Sequence, residues 1–545
     1  MEELEADVCI IGGGLAGTIV AERALKRGRK VLLIDRGADY RTHDTDRSTW
    51  WWDHVVTTEA GIDGRFTRYK NDFPGAAARF DDLAEIESTA DLWAFRYSMR
   101  YELGGSAARW YGLSFRLHPD DFKTKSLFGY GEDWPIGYDD LAPYYDQAEE
   151  ILEVSGPSAP DAAVWPWHNK FVYPAFKQSY LDLRFEAASG GLVRLVPQPH
   201  AARNRPEWEG GCLGMKTCVQ HCTAGAIFRP QNRILSSYLF NDRLHVLSLT
   251  AVTHLELSQD GAKIEAVHGV DSAGAPLTAR ARHFFLAANA VENVRILLAS
   301  AEKTGEPVAN RSGTVGRYFA SNGEVTCTAV LDEPVFPNRG RPTTSSCLSW
   351  LSRDERAGRN AVVLEVWNGD VTRGGDSPWA QLAATWERQG LWGEELALSL
   401  ADYEHRFSIV FSYETEMTAA STLSLGRARD RFGLPLARAA ITPTARDLST
   451  RAFIAAKAGA LRGQKAMRSL AVARDGLSGC QPRGGTRMSA SAETGVVGDR
   501  CRSHDHENLY VLGSGPFCST GSFGPSLTIA ALALYAADDP ALGWS

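Results

Sequence analysis

Two groups of residues in the chain have the types and spacing to do chemistry. The first is Gly12-Gly13-Gly14-Leu15-Ala16-Gly17, followed by Asp35. Gly12 permits a tight turn, Gly14 lets the backbone approach a pyrophosphate, and Gly17 lets a helix pack on a strand. Asp35 can accept hydrogen bonds from both hydroxyls of a ribose. The second group is Cys212, Cys218 and Cys222, with five and three residues between successive cysteines. The nine cysteines of the 545-residue chain are too few for a disulfide scaffold. Clustered as these three are, they point to metal or redox chemistry before disulfides.

The glycines work only if the right elements position them. Asp7-Val8-Cys9-Ile10-Ile11 reads as a buried strand, Thr18 to Lys26 as a helix, and Lys30 to Ile34 as a second strand ending at Asp35. Strand, glycine turn, helix, strand and acid form the dinucleotide fingerprint, with phosphates at the helix N-terminus. The fingerprint itself does not separate FAD from NAD. Its position at the extreme N-terminus of a long chain favours FAD.

Composition narrows the class. Hydrophobic residues at 44% and charged residues at 23% fit a globular enzyme and exclude a disordered or collagenous chain. The length suggests two to four domains or one interleaved body. A net charge of -8 argues against a nucleic-acid partner and slightly favours cationic substrates. No apolar run reaches the roughly 18–20 residues that span a bilayer. The acidic start Met1-Glu2-Glu3-Leu4-Glu5 is unlike a secretory signal, so a cytoplasmic location is expected.

Further along, Leu103 to Gly112 is a second glycine-rich loop. A helix is expected from Tyr138 to Ile151, irregular connection over 155–205, and antiparallel strands over 244–267. A buried strand from His283 ends at Asn289, before a helix from Val291 to Ser300. Strands are expected near 326–330, 361–367 and 407–413, and a helix near 446–462. Trp50-Trp51-Trp52 belongs to a packed insertion or lines a substrate entrance.

Several of these motifs, in order, resemble the glucose–methanol–choline (GMC) oxidoreductases. They are Gly12 to Gly17, Gly104-Gly105-Ser106 with Arg116 and Asp121-Phe122, Trp134-Pro135-Ile136, and Ala287-Ala288-Asn289. A C-terminal block adds Gly484-Gly485-Thr486-Arg487-Met488, Gly513-Ser514 and Leu527-Thr528-Ile529. The resemblance implies an α/β (α+β) fold. A Rossmann-like FAD-binding domain is assembled from 1–45, 95–135, 205–325 and 470–545. A substrate or cap domain with an antiparallel sheet takes 46–94, 136–204 and 326–469. It also implies FAD contacts at Gly12, Gly14, Gly17, Asp35, Arg36, Gly104, Gly105, Ser106, Gly112, Val252, Ala288, Gly513, Ser514, Phe523 and Thr528. Some members bind FAD covalently through a His of the second glycine loop. The matching position is Arg109, beside Trp110, so non-covalent, dissociable FAD is expected.

The cysteine spacing resembles a narrower branch, the bacterial FAD-dependent glucose dehydrogenase catalytic subunits. That implies a [3Fe–4S] cluster on Cys212, Cys218 and Cys222, passing electrons to an external acceptor. It also implies a small-molecule substrate that is a sugar, aminosugar or polyol, and a small partner subunit or cytochrome. Soft thiolates agree with iron–sulfur. Zinc with His221 as fourth ligand, or free or disulfide cysteines, stay open.

One part of the family pattern is missing. Members use a His to take the hydroxyl proton and a second His or Asn to hold the substrate oxygen. Those positions fall on Gln481 and Gly524 here, and another frequent His falls near Ser321-Asn322. Glutamine cannot act as a base near neutral pH. His504 and His506 read as structural. Glu414, at the end of a predicted strand, is a candidate replacement base or an ordinary salt-bridge partner. The loss leaves a second reading open, in which the scaffold runs elimination, decarboxylation or isomerisation, and a third, a non-catalytic homologue.

Overall fold

A computed structural model describes residues 2–39, 99, 101–157, 171–207, 210–216, 218, 222, 224–337, 339–369 and 390–544. Trp50-Trp51-Trp52, the expected 46–94 segment and His221 lie outside the described residues.

The strands of the two large sheets, in chain order, begin with β1 (Glu2–Ile11), β2 (Val31–Ile34) and β3 (Val196–Pro197). Then come β4 (Leu244–Leu247), β5 (Thr250–Leu257), β6 (Ile264–Asp271) and β7 (Pro276–Leu286). β8 (Ala320–Leu331), β9 (Ser345–Cys347), β10 (Val362–Trp367), β11 (Arg406–Tyr413), β12 (Met467–Arg483) and β13 (Leu509–Val511) complete them. The first sheet has the order β4-β2-β1-β7-β6-β5, with β13 beside β7. The second has the order β12-β8-β11-β10-β9-β3.

The centre of the first sheet is parallel: β1 pairs with β2 and β7, β2 with β4, and β7 with β13. Parallel strands covered on both faces read as continuous apolar runs. Val8, Cys9, Ile10 and Ile11 are accordingly all buried. The strand starts earlier than its apolar run, at Glu2, where exposed Glu3 receives Arg280 at 3.0 Å. α1 (Leu15–Lys26) covers this sheet, and against it and α2 (Tyr138–Ile151) packs the C-terminal helix Ser526–Ala537. That last helix is apolar on nearly every side, as a fully buried helix must be.

The expected elements at 138–151, 407–413 and 446–462 are present as α2, β11 and the helix Ala445–Arg462. Two expectations are corrected. Residues 155–205 contain a helix, Tyr180–Ala188, started by a reciprocal cap between Ser179 and Asp182. Over 244–267 only β5 and β6 are antiparallel; β4 joins β2 in parallel. Boundaries drawn at 325 and 470 fall inside β8 and β12, so the second sheet runs unbroken through both.

Among the described residues, no helix is long and apolar enough to cross a membrane.

Candidate active site

A cavity of about 1070 Å³ lies between the two sheets. At one end are Gly12, Gly14, Asp35, Gly105 and Ser106; at the other are residues of β8, β10, β11 and β12.

The glycine end is shaped by close approaches. Gly12 has φ +102°, and a Cβ there would stand 2.6 Å from the Ala287 carbonyl oxygen. Gly17 lies in the first turn of α1, where a Cβ would stand 2.0 Å from the Gly12 oxygen. The two glycine loops touch, with Gly104 N–H donating to the Gly13 carbonyl at 2.8 Å. The α1 N-terminus has no side-chain cap and no acid in its first turn. Its open N–H groups suit an anion. Asp35 accepts from Gly13 N at 2.6 Å and Gly37 N at 2.7 Å. Burial pushes its carboxyl up to about 6, against the pull of those two donors. Nearby, Asn289 holds φ +81° and caps the helix Ala290–Ala299 through Val291 and Glu292 N–H. A second helix N-terminus is thus fixed at the cavity wall. This cradle fits a dinucleotide.

The opposite wall is the second sheet. Ser321 opposes Pro482, whereas Gly323 opposes Leu477. Ser478, Gly479, Cys480 and Gln481 therefore bulge out opposite Asn322 and line the cavity. Gln481 and Gly524 meet there: a Cβ on Gly524 would stand 3.7 Å from Gln481 Nε2. Gln481 Oε1 is buried and has no hydrogen-bond partner among the described residues. Buried Arg483 ties the segments together by donating to Asn322 Oδ1 and to the Phe523 carbonyl. Ser514 Oγ donates to Pro482 O at 2.6 Å. Burial lowers the Arg483 guanidinium to about 9.

Three acceptor-bearing or aromatic side chains line the same sheet face: Glu324, Glu365 and Trp367. Burial, with the nearby Glu324 charge, pushes Glu365 up to about 7, while Trp367 Nε1 donates to it at 3.0 Å.

Glu414 does not reach this wall. Its carboxylate accepts from Arg356 at 2.9 Å and Tyr130 OH at 2.6 Å, and Arg356 also donates to Asp121 at 2.9 Å. It is a buried ion-pair partner, as the plainer of the two sequence readings has it.

The three cysteines line a separate small cavity with Arg341. Arg341 Nη1 donates to Cys212 Sγ at 3.3 Å, and Ala226 N to Cys222 Sγ at 3.2 Å. Arg229 Nη2 donates to the Cys218 carbonyl at 3.2 Å. Arg341 Nη2 meanwhile donates to the carbonyl of Tyr111, which lines the large cavity. Among the described residues, no three such side chains stand close enough to hold one metal ion.

Of the residues expected from sequence, Gly12, Gly14, Asp35, Arg36, Gly105, Ser106, Arg109, Trp110, Val252, Ala288, Gly513, Ser514, Gln481 and Gly524 line the large cavity. Gly17, Gly104, Gly112, Phe523 and Thr528 stand behind it. Thr528 Oγ1 is hydrogen-bonded to Tyr145 OH at 2.8 Å, and Phe523 stacks on Phe115 at 4.3 Å. Arg109 Nε is 2.7 Å from Glu102 Oε1. Glu324, Glu365 and Trp367 were not singled out from sequence. The available signal was a single acid inside each of two otherwise uncharged strands.

Residues 7–315 match the family described as FAD dependent oxidoreductase, and residues 418–533 match GMC oxidoreductase. The chain is 25% identical to fructose dehydrogenase large subunit of Gluconobacter japonicus, over 98% of each chain. It is 25% identical to paromamine 6'-oxidase of Streptomyces fradiae, over 97% of this chain and 90% of that one. The structure of pyridoxine 4-oxidase from Mesorbium loti superposes with TM-score 0.62 at 15% identity, over 97% of this chain and 98% of the other. The chain belongs to the FAD dependent oxidoreductases, of the GMC type that acts on CH–OH donors.

Proposed function

We propose that the protein is a dehydrogenase oxidising a hydroxyl of a sugar, aminosugar or polyol, with electrons leaving through a [3Fe–4S] cluster to an external acceptor. The observation that carries this reading is the meeting of Gln481 and Gly524 in the cavity that also holds the dinucleotide cradle. Relatives named for fructose and for paromamine support the substrate range.

Bound FAD supplies the hydride acceptor. The glycine turns and the α1 N-terminus hold its phosphates, and Asp35 its ribose. Gln481 orients the substrate oxygen by hydrogen bonding and, having no basic atom, does not take the hydroxyl proton, which passes to solvent water as the hydride leaves the carbon. Gly524 leaves room where other members carry a side chain. Cys212, Cys218 and Cys222, which line one small cavity, would hold the cluster, and it would supply one-electron transfer to the external acceptor. Tyr111 and Arg341 lie between the two cavities.

The test is reduction of an artificial dye by purified protein, screened over fructose, aminosugars and polyols. Saturable reduction with one of these donors is the expected result. No flavin reduction with any donor overturns the reading and brings non-redox chemistry forward. The same protein is expected to release its FAD on acid precipitation, because Arg109 is engaged with Glu102 and cannot form a histidyl link. Flavin that stays with the precipitate contradicts this. About three irons with matching sulfide per chain are expected, and each Cys→Ala change in the triad is expected to abolish the brown absorbance. One zinc and no sulfide refutes the cluster.

A further inference from the structure

One wall of the large cavity carries charge that hydroxyl chemistry does not use. Glu324 on β8 opposes Ser412 on β11, and Glu365 on β10 opposes Val410 on β11. Opposed residues of an antiparallel pair share a face, as do residues two apart on one strand. The two side chains therefore project from one face, from backbones two strand spacings (about 10 Å) apart and offset by two residues along the strands, and both line the cavity.

Their surroundings differ. Glu324 receives Arg474 Nη2 at 2.7 Å and Thr326 Oγ1 at 3.3 Å. Glu365 receives Trp367 Nε1, and among the described residues no cation pairs with it. A carboxylate withdrawn from water without a cation is costly. In the same cavity Gln481 Oε1 is buried with no donor among the described residues. Trp367 packs edge-on against Tyr111, with ring centroids 4.7 Å apart, and both line the cavity. The wall thus offers acceptors in excess of donors beside aromatic surface. The ligand that completes it brings donors, positive charge and a ring or carbon skeleton to lie along the indole.

We propose that Glu365, assisted by Glu324, binds a protonated amine of the substrate, so that the preferred donor is an aminosugar. This rests on the hydroxyl-oxidising reading above and narrows it. The amine is the recognised group and is not oxidised, because Glu365 stands on a different strand from the Gln481 bulge, with β11 and β8 between them. A neutral sugar brings Glu365 no positive charge, leaving the Trp367 N–H as its donor, and so binds at a disadvantage. The charged or titratable groups facing Glu365 across this wall are Glu324 on β8 and Arg474, Asp475 and Cys480 on β12. β11 presents the uncharged Val410 and Ser412. With its carboxyl raised to about 7, Glu365 gains charge as pH rises through that value.

The experiment is calorimetric binding of paromamine and of its fully N-acetylated form to the flavin-loaded protein. Paromamine is expected to bind about 10- to 100-fold more tightly, the range for a charge-assisted hydrogen bond. Its affinity is expected to rise between pH 6 and 7.5. Glu365→Gln is expected to remove most of the preference, Glu365→Asp to keep part of it, and Glu324→Gln to lower it less, because Arg474 already compensates Glu324. Flavin content and melting temperature confirm that each variant is folded. Equal affinity for the two ligands, no measurable binding of paromamine, or a preference unchanged in Glu365→Gln overturns the proposal. Dye reduction by neutral polyols without any amine preference overturns it while the dehydrogenase reading stands. Amine-selective binding lost in Glu365→Gln supports it even if no donor reduces the flavin, in which case the dehydrogenase reading alone falls.

Discussion

Gly17→Ala is expected to yield protein with almost no bound flavin and a lowered melting temperature. The new Cβ would lie 2.0 Å from the Gly12 carbonyl oxygen and 3.0 Å from Ile10 Cγ2. The first of these is backbone and cannot rotate away. Either α1 lifts off β1 or the Gly12 turn moves, and both displace the N–H groups offered to phosphate. Overpacking of this kind typically costs about 1–3 kcal/mol. Gly14→Ala is the informative contrast. Its Cβ would find nothing nearer than Gly105 Cα at 4.0 Å. That variant is expected to melt like the flavin-free wild type while still losing affinity for FAD, since the methyl group enters the approach to the pyrophosphate. Flavin absorbance per protein chain, read beside melting curves, separates the two. Full flavin occupancy in Gly17→Ala would show that the turn is not the cradle.

Arg356→Met is expected to be the most damaging change away from the cavity. Its guanidinium is fully buried between Asp121 and Glu414 and also donates to Tyr130 OH at 3.0 Å. Removing the cation leaves two carboxylates in the interior, and breaking such a pair costs about 3–5 kcal/mol. The pH dependence has a definite sign. Without Arg356 the folded-state Glu414 carboxyl, which burial already raises against the pull of the guanidinium, rises further above its unfolded value. The folded variant then holds protons that the unfolded chain has released, so its stability falls as pH rises and partly recovers in acid. Melting temperatures of variant and wild type across pH 5 to 8 should diverge upward in pH. Parallel curves would count against the ion-pair account. Glu414→Gln should lower the melting temperature and leave the pH profile of dye reduction unchanged, the opposite of what a catalytic base would give.

How much was legible in the sequence depended on how local each signal was. Gly12, Gly14, Gly17 and Asp35 could be read at once because strand, turn, helix and strand are contiguous. Gln481 and Gly524 were identified as counterparts of missing groups only through motifs downstream of each. Their meeting in one cavity, and the Ser478–Gln481 bulge that brings it about, depend on the register of β12 against β8, which no local pattern encodes. Glu365 was invisible for the same reason. Within β10 it is one acid in an apolar run, and its significance comes from β11, about forty residues further on, placing Glu324 on the same face. The helix Tyr180–Ala188 was missed for a different reason. Its Ser179–Asp182 cap was present, but in a proline- and tryptophan-rich surrounding that favoured an irregular reading.

The parallel pairing of β1 with β7, and of β7 with β13, also bears on how the chain comes to its final form. β1 leaves the ribosome first, but its neighbour β7 lies about 270 residues later, and β13 more than 200 residues beyond that. Loop closure over such spans is slow, and unpaired strand edges invite wrong partners in the meantime. The cofactor cavity draws on Ile11 near one end of the chain and Ile529 near the other. Flavin capture is therefore a late event in biogenesis. Nascent chains arrested before the Ser526–Ala537 helix emerges should remain flavin-free and dependent on chaperones, however complete their glycine turn.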